Sequence, residues 1–182
     1  MMIPAIALKI LGGAVAIGAV ASSIAVPTAL SMNTAKEIVL KNFPRGEKEK
    51  FKDKCQLLTK DEGGMKREQD KGYLLVCDDS GNSGVTFYYH SYQEVPKKVI
   101  SLERNGDLGG HLTKVKVTTE GTMANEADLT AYNGSWTDLI GKSLKNCSIT
   151  KDVGEEKRWS VRCPKDGTGD GKDMPLTPII IN

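Results

Sequence analysis

Four cysteines are the residues best placed to do chemistry in this chain: Cys55, Cys77, Cys147 and Cys163. The first two are 22 residues apart and the last two 16. There is no C-x-x-C pair, and neither His90 nor His111 stands at a zinc-ligand spacing, so the pattern does not point to a metal centre. Each pair brackets a stretch that reads as a hairpin. Residues 55–59 and 73–77 are strand-like around a polar turn with Gly63-Gly64. Residues 147–150 and 158–163 flank a charged turn in the same way. Cysteines at the ends of two paired strands lie near one another, and short loops close at low entropic cost. Of the three connectivities that four cysteines allow, Cys55–Cys77 with Cys147–Cys163 is therefore expected. The alternative is four half-buried thiols in a cytoplasmic domain.

The other candidate groups fail on order or spacing. Asp79-Ser80-Gly81 is similar to the nucleophile loop of chymotrypsin-like proteases, but that family places its His and Asp before the Ser, and here both His residues come after it. Ser80 reads as turn chemistry. Gly167-Thr-Gly-Asp-Gly-Lys172 is one residue short of a phosphate loop, and Asp173 stands where Ser or Thr would hold magnesium. Asp166 opens a stretch like a calcium loop, with Asp170 and Gly171 in place, yet Thr177 occupies the position of the bidentate Glu. Asn133-Gly-Ser135 and Asn146-Cys-Ser148 fit a glycosylation sequon, which matters only in a eukaryotic host. With no nucleophile–base pair in view, the chain is expected not to be an enzyme and to need no cofactor.

Composition limits what can hold such residues in place. Of 182 residues 39% are apolar, and 21 of those fall in the first 30, leaving the rest a thin supply for a core. The net charge of +2, with both signs mixed, lacks the footprint of a nucleic-acid binder, and 5% aromatic content is too little for a base-stacking surface. Residues 10–30 carry no charge, and as a helix they would span about 30 Å, the hydrocarbon thickness of a bilayer. An uncleaved signal-anchor through residues 1–30 is favoured, holding the chain to membrane lipid by residues 10–30. A signal peptide cut between Ala21 and Ser22 is the alternative. Orientation is contested. Lys36, Lys41, Arg45, Lys48 and Lys50 stand just after the run, and the positive-inside rule would keep the remainder of the chain in the cytoplasm. Four cysteines behind a secretory-type leader favour the oxidising side instead.

Past the leader, Thr34-Ala-Lys-Glu37 has capping-box spacing and is expected to open a short helix through Phe43. The run 85–92, VTFYYHSY, is the most β-prone in the chain, and residues 99–103 and 112–119 read as further strands. Ser135 with Asp138 suggests a second helix over 135–145. Its Trp136, Leu139, Ile140 and Leu144 share one face, which makes Trp136, Ile140 and Leu144 expected core anchors. Residues 164–182 read as a flexible tail whose end, Pro-Ile-Ile-Ile-Asn182, could dock as an edge strand. The stretches 44–78 and 135–164 share a plan of Cys, strand, Thr-Lys-Asp, Gly-containing turn, strand and Cys, a weak internal repeat. The expected fold is α+β: an N-terminal transmembrane helix, then a small antiparallel-sheet domain over 31–163 with short helices and two Cys-closed hairpins.

The leader, the paired cysteines, the Trp-bearing segment before a late Cys and the preference for Lys over Arg belong together. The chain resembles, in these features, the paralogous uncharacterised membrane and surface proteins of haemotropic mycoplasmas. That resemblance carries no catalytic residues. It implies a single-pass membrane protein displaying an extracellular domain, in contact with a host-surface protein or as an antigen. The competing expectation is a cytoplasm-facing, membrane-tethered subunit of a membrane complex.

Overall fold

A computed structural model describes residues 38–182 except 41–42, 65, 68–69, 80–83, 92–93, 122–124, 153–158 and 165–170. The chain separates into two units, 1–35 and 36–182, and every described residue belongs to the second. The apolar run 10–30 and the capping box at Thr34 lie outside the described residues, but the helix expected from Thr34 through Phe43 is corrected, since Ile38–Leu40 is a strand. Among the described residues no helix is long and apolar enough to cross a membrane.

The architecture corrects the expected α+β class: it is built from strands. In chain order they are β1 (Ile38–Leu40), β2 (Cys55–Lys60), β3 (Tyr73–Asp79), β4 (Gly84–His90), β5 (Lys97–Asp107), β6 (Leu112–Thr119), β7 (Asn125–Tyr132), β8 (Ser148–Lys151), β9 (Trp159–Arg162), β10 (Asp173–Pro175) and β11 (Ile179–Ile181). Two helical elements fall wholly among the described residues, one turn of α-helix, α1 (Lys48–Phe51), and a 3-10 helix at Ser135–Leu139. Strands β2 to β7 form a six-stranded antiparallel meander, β8, β9 and β10 a three-stranded sheet, and β1 pairs with β11 in parallel.

Side-chain periodicity explains the meander. In β6 Thr113, Val115, Val117 and Thr119 are buried while the residues between them are half-exposed, the alternation of a strand with one dry face. Strand β3 instead reads Tyr-Leu-Leu-Val-Cys and is buried on both faces. Leu74 and Val76 join the main core with Phe87, Leu102, Val115 and Leu129, while Leu75 and Cys77 join a second core with Leu40, Phe43, Phe51 and Leu57. The thin apolar supply is thus spent on two layers that share the β2–β4 strands.

The meander curls until its first and last strands meet. Glu62 N donates to Thr130 O at 2.6 Å, and beside it the Asp61 carboxylate, fully buried, accepts from Gly63 N at 2.9 Å, from Thr130 N at 3.4 Å and from Lys66 Nζ at 2.5 Å. A buried carboxylate is tolerable only when so many donors replace its water.

Two further expectations are corrected. The segment 135–145 is not an α-helix. It makes the five-residue 3-10 helix, then Ile140 is extended, Gly141 adopts a positive φ of 74°, and Gly141 N donates to Leu102 O of β5. The segment expected to be a flexible tail also carries structure: Met174 and Leu176 are buried and Thr177 exchanges two 2.8 Å backbone hydrogen bonds with Leu57, while its end docks as an edge strand as expected, β11 pairing with β1 over the second core.

Candidate functional site

The two hairpins are sealed where their strands begin and end. Cys55 and Cys77 are direct cross-strand partners in the β2–β3 ladder and are bridged, with Cα atoms 4.0 Å apart. Cys147 and Cys163 lie one residue beyond the Ser148–Arg162 pair of β8 and β9 and are bridged likewise. All four cysteines are buried and none is free. The hairpins are also joined to each other. Lys151 on β8 forms an ion pair with Asp78, the residue after Cys77, and its ammonium lies 4.5 Å from the centroid of Trp159. A cation held between a carboxylate and a ring face gains from both.

Beside the first bridge a cleft of about 500 Å³ opens between α1 and the outer face of β3–β4. Its apolar side is Phe51 and Tyr88, packed edge-on with ring centroids 5.0 Å apart, and its rim carries Lys54, Asp78 and Asp79. Burial pushes the Tyr88 phenol above its ordinary pKa, and the negative charge of Asp79 adds to that. A neutral phenol donates a hydrogen bond, so Tyr88 would meet a ligand in the cleft as a donor.

Neither histidine lines the cleft. His90 is buried against Phe43, with centroids 4.7 Å apart, and stacked on Tyr73. Its Nδ1 lies 3.1 Å from Glu94 O, a carbonyl that can only accept, so Nδ1 carries the proton. Burial depresses the pKa of this imidazole, which packs against Phe43 and Tyr73 of the second core. His111 is exposed. Ser80 lies outside the described residues, as do Asp166, Gly167 and Asp170. Among the described residues no group of three His, Cys, Asp or Glu could hold a metal ion. Both sequon asparagines are exposed; Asn133 accepts from Thr113 Oγ1, and Asn146 takes a left-handed φ of 64° that Asn tolerates.

The three residues singled out as anchors lie inside. Trp136 is buried and donates Nε1–H to Tyr132 O at 2.7 Å, Leu144 is buried, and Ile140 is half-buried against the same core. Leu144 also borders a surface groove with Val99, Ile100 and Lys145. What sequence reasoning missed is the Asp61–Lys66 clasp, the Asp78–Lys151 link and the cleft. Each depends on residues far apart in the chain or on an acid that reads like any turn residue. Comparison with protein-family models, curated proteins and solved structures found no match.

Proposed function

We propose that this chain is a surface-displayed, membrane-associated protein whose disulfide-braced β domain acts by binding, in host contact or as an antigen, and not by catalysis. The observation that carries the reading is the pairing of every cysteine into a hairpin-closing bridge. Such bridges persist on the oxidising side of a membrane and are rare in a reducing cytoplasm. Each stabilises a domain by about 3 kcal/mol on the loop-entropy account, which matters where the apolar supply is thin. The uncharged run 10–30 supplies attachment to lipid. Membrane-impermeant amine labelling and protease shaving of intact cells test the reading. Labelled lysines on the β domain and its loss on shaving are expected; a chain protected from both until the cells are lysed contradicts display.

The second reading, a cytoplasm-facing tether in a membrane complex, is favoured by the positive flank from Lys36 to Lys50. It requires reduced cysteines in the cell.

A further inference from the structure

The meander has a fault between its third and fourth strands. Strands β4 and β5 pair only at Tyr88–Lys98 and Tyr89–Lys97, next to the turn that joins them. From there they diverge. Residues 84–87 of β4 pair with β3 on one side, and residues 99–101 of β5 run beside β6 on one side, but the two stretches do not pair with each other. The cause is local. The β5–β6 register shifts between Val99 and Ser101, so Ile100 is the extra residue of a β-bulge, and a bulge bends its strand and ends pairing. Further along, Gly141 N closes on Leu102 O, and residues 143–145 border the fault. A groove of about 280 Å³ remains, with Thr86 and Phe87 on one wall, Val99 and Ile100 on the other, and Leu144 and Lys145 alongside.

We infer that this split seam is a docking groove for an extended, acidic peptide segment of a partner protein, which adds a strand between β4 and β5. Three observations set the chemistry of the occupant. Two strand edges face each other across the groove without pairing, and an extended backbone is what complements such edges. Ile100 is 54% exposed at the groove, an apolar side chain for the peptide to cover. Of the two lysines that line it, Lys98 is neutralised by Glu120 at 3.3 Å, whereas Lys145 makes no ion pair among the described residues and leaves one positive charge for a carboxylate. The inference holds whichever side of the membrane the domain faces.

The test is selection of a random heptapeptide phage library on the full-length, disulfide-intact chain, with the Ile100→Asp and Lys145→Glu chains as counter-targets. Peptides that alternate apolar residues with Glu or Asp are expected. Their synthetic versions should bind at least tenfold more weakly to either variant, and should lose binding when their backbone nitrogens are methylated. Amide hydrogen exchange of residues 85–87 and 99–101 should slow when a selected peptide binds. Both variants change side chains at the groove, and an unchanged urea midpoint in either keeps the comparison valid. Peptides that bind wild type and both variants alike, or an unselected library, overturn the inference. A dimer of the free chain that Ile100→Asp dissolves would make a second copy the occupant and overturn the partner-peptide assignment.

Discussion

Asp61 and Lys66 show how much one buried charge can depend on its neighbours. The carboxylate is wholly buried while the Lys66 side chain is 40% exposed, so the two partners are not equivalent. Asp61→Asn keeps an acceptor for Gly63 N and releases Lys66 to water, and should cost about 1–2 kcal/mol. Lys66→Met leaves the charge buried with only amide donors, and should cost more, about 3 kcal/mol. Urea unfolding of the pair checks the order; an equal loss would mean the clasp is not buried in solution. Trp136→Ala removes a large core ring and leaves Tyr132 O without its donor, and a loss of about 3–5 kcal/mol is expected from the same measurement. His90 gives a pH dependence. Its folded pKa lies below the ordinary value of 6.5, so the unfolded chain binds the proton more readily. Its contribution is full above about pH 6.5 and is lost as the pH falls toward the folded pKa. The urea midpoint should therefore fall between pH 7.5 and 5.5, and His90→Phe should flatten that slope.

At the level of elements, legibility tracks how local the determinants are. Strand β6 spans Leu112–Thr119, and the run 112–119 could be read from its own alternation. The β2–β3 and β8–β9 hairpins were legible because their cysteines mark both ends. Strand β7 was not, because only Leu129 and Ala131 of its eight residues are buried and its acids read as surface. The helix expected over 135–145 failed for a different reason. Apolar residues at helical spacing reach the core equally well from a 3-10 turn that gives way to extended chain, and Gly141 enforces the change of direction. Gly141→Ala meets no neighbouring atom, so its expected cost is the left-handed backbone alone, about 1 kcal/mol. A loss well above that in thermal unfolding would mean the site is packed. The β1–β11 pair joins residues near the two ends of the domain; the apolar end Pro-Ile-Ile-Ile suggested an edge strand, but no local pattern names β1 as its partner. Truncation after Thr177 removes β11 and should uncover Leu40 and its neighbours; binding of a hydrophobic dye and a lower thermal midpoint would register this.

For the whole molecule, the two bridges, the Asp78–Lys151 link and the Asp61 clasp hold a domain with little apolar material. The sheet's outer face is laced with exposed pairs such as Lys114–Asp128 and Lys116–Glu126, worth little each in water. Stability should therefore depend on oxidation far more than on salt. Compartment is tied to the same bridges, and the candidate surfaces, the aromatic cleft and the split seam, are presented by strands that the bridges brace. The most direct test is non-reducing peptide mapping of the chain after free thiols have been blocked in living cells. Bridged peptides containing Cys55 with Cys77 and Cys147 with Cys163 are the predicted result. Four alkylated cysteines would contradict both the bracing and the proposed placement of the domain outside the cell.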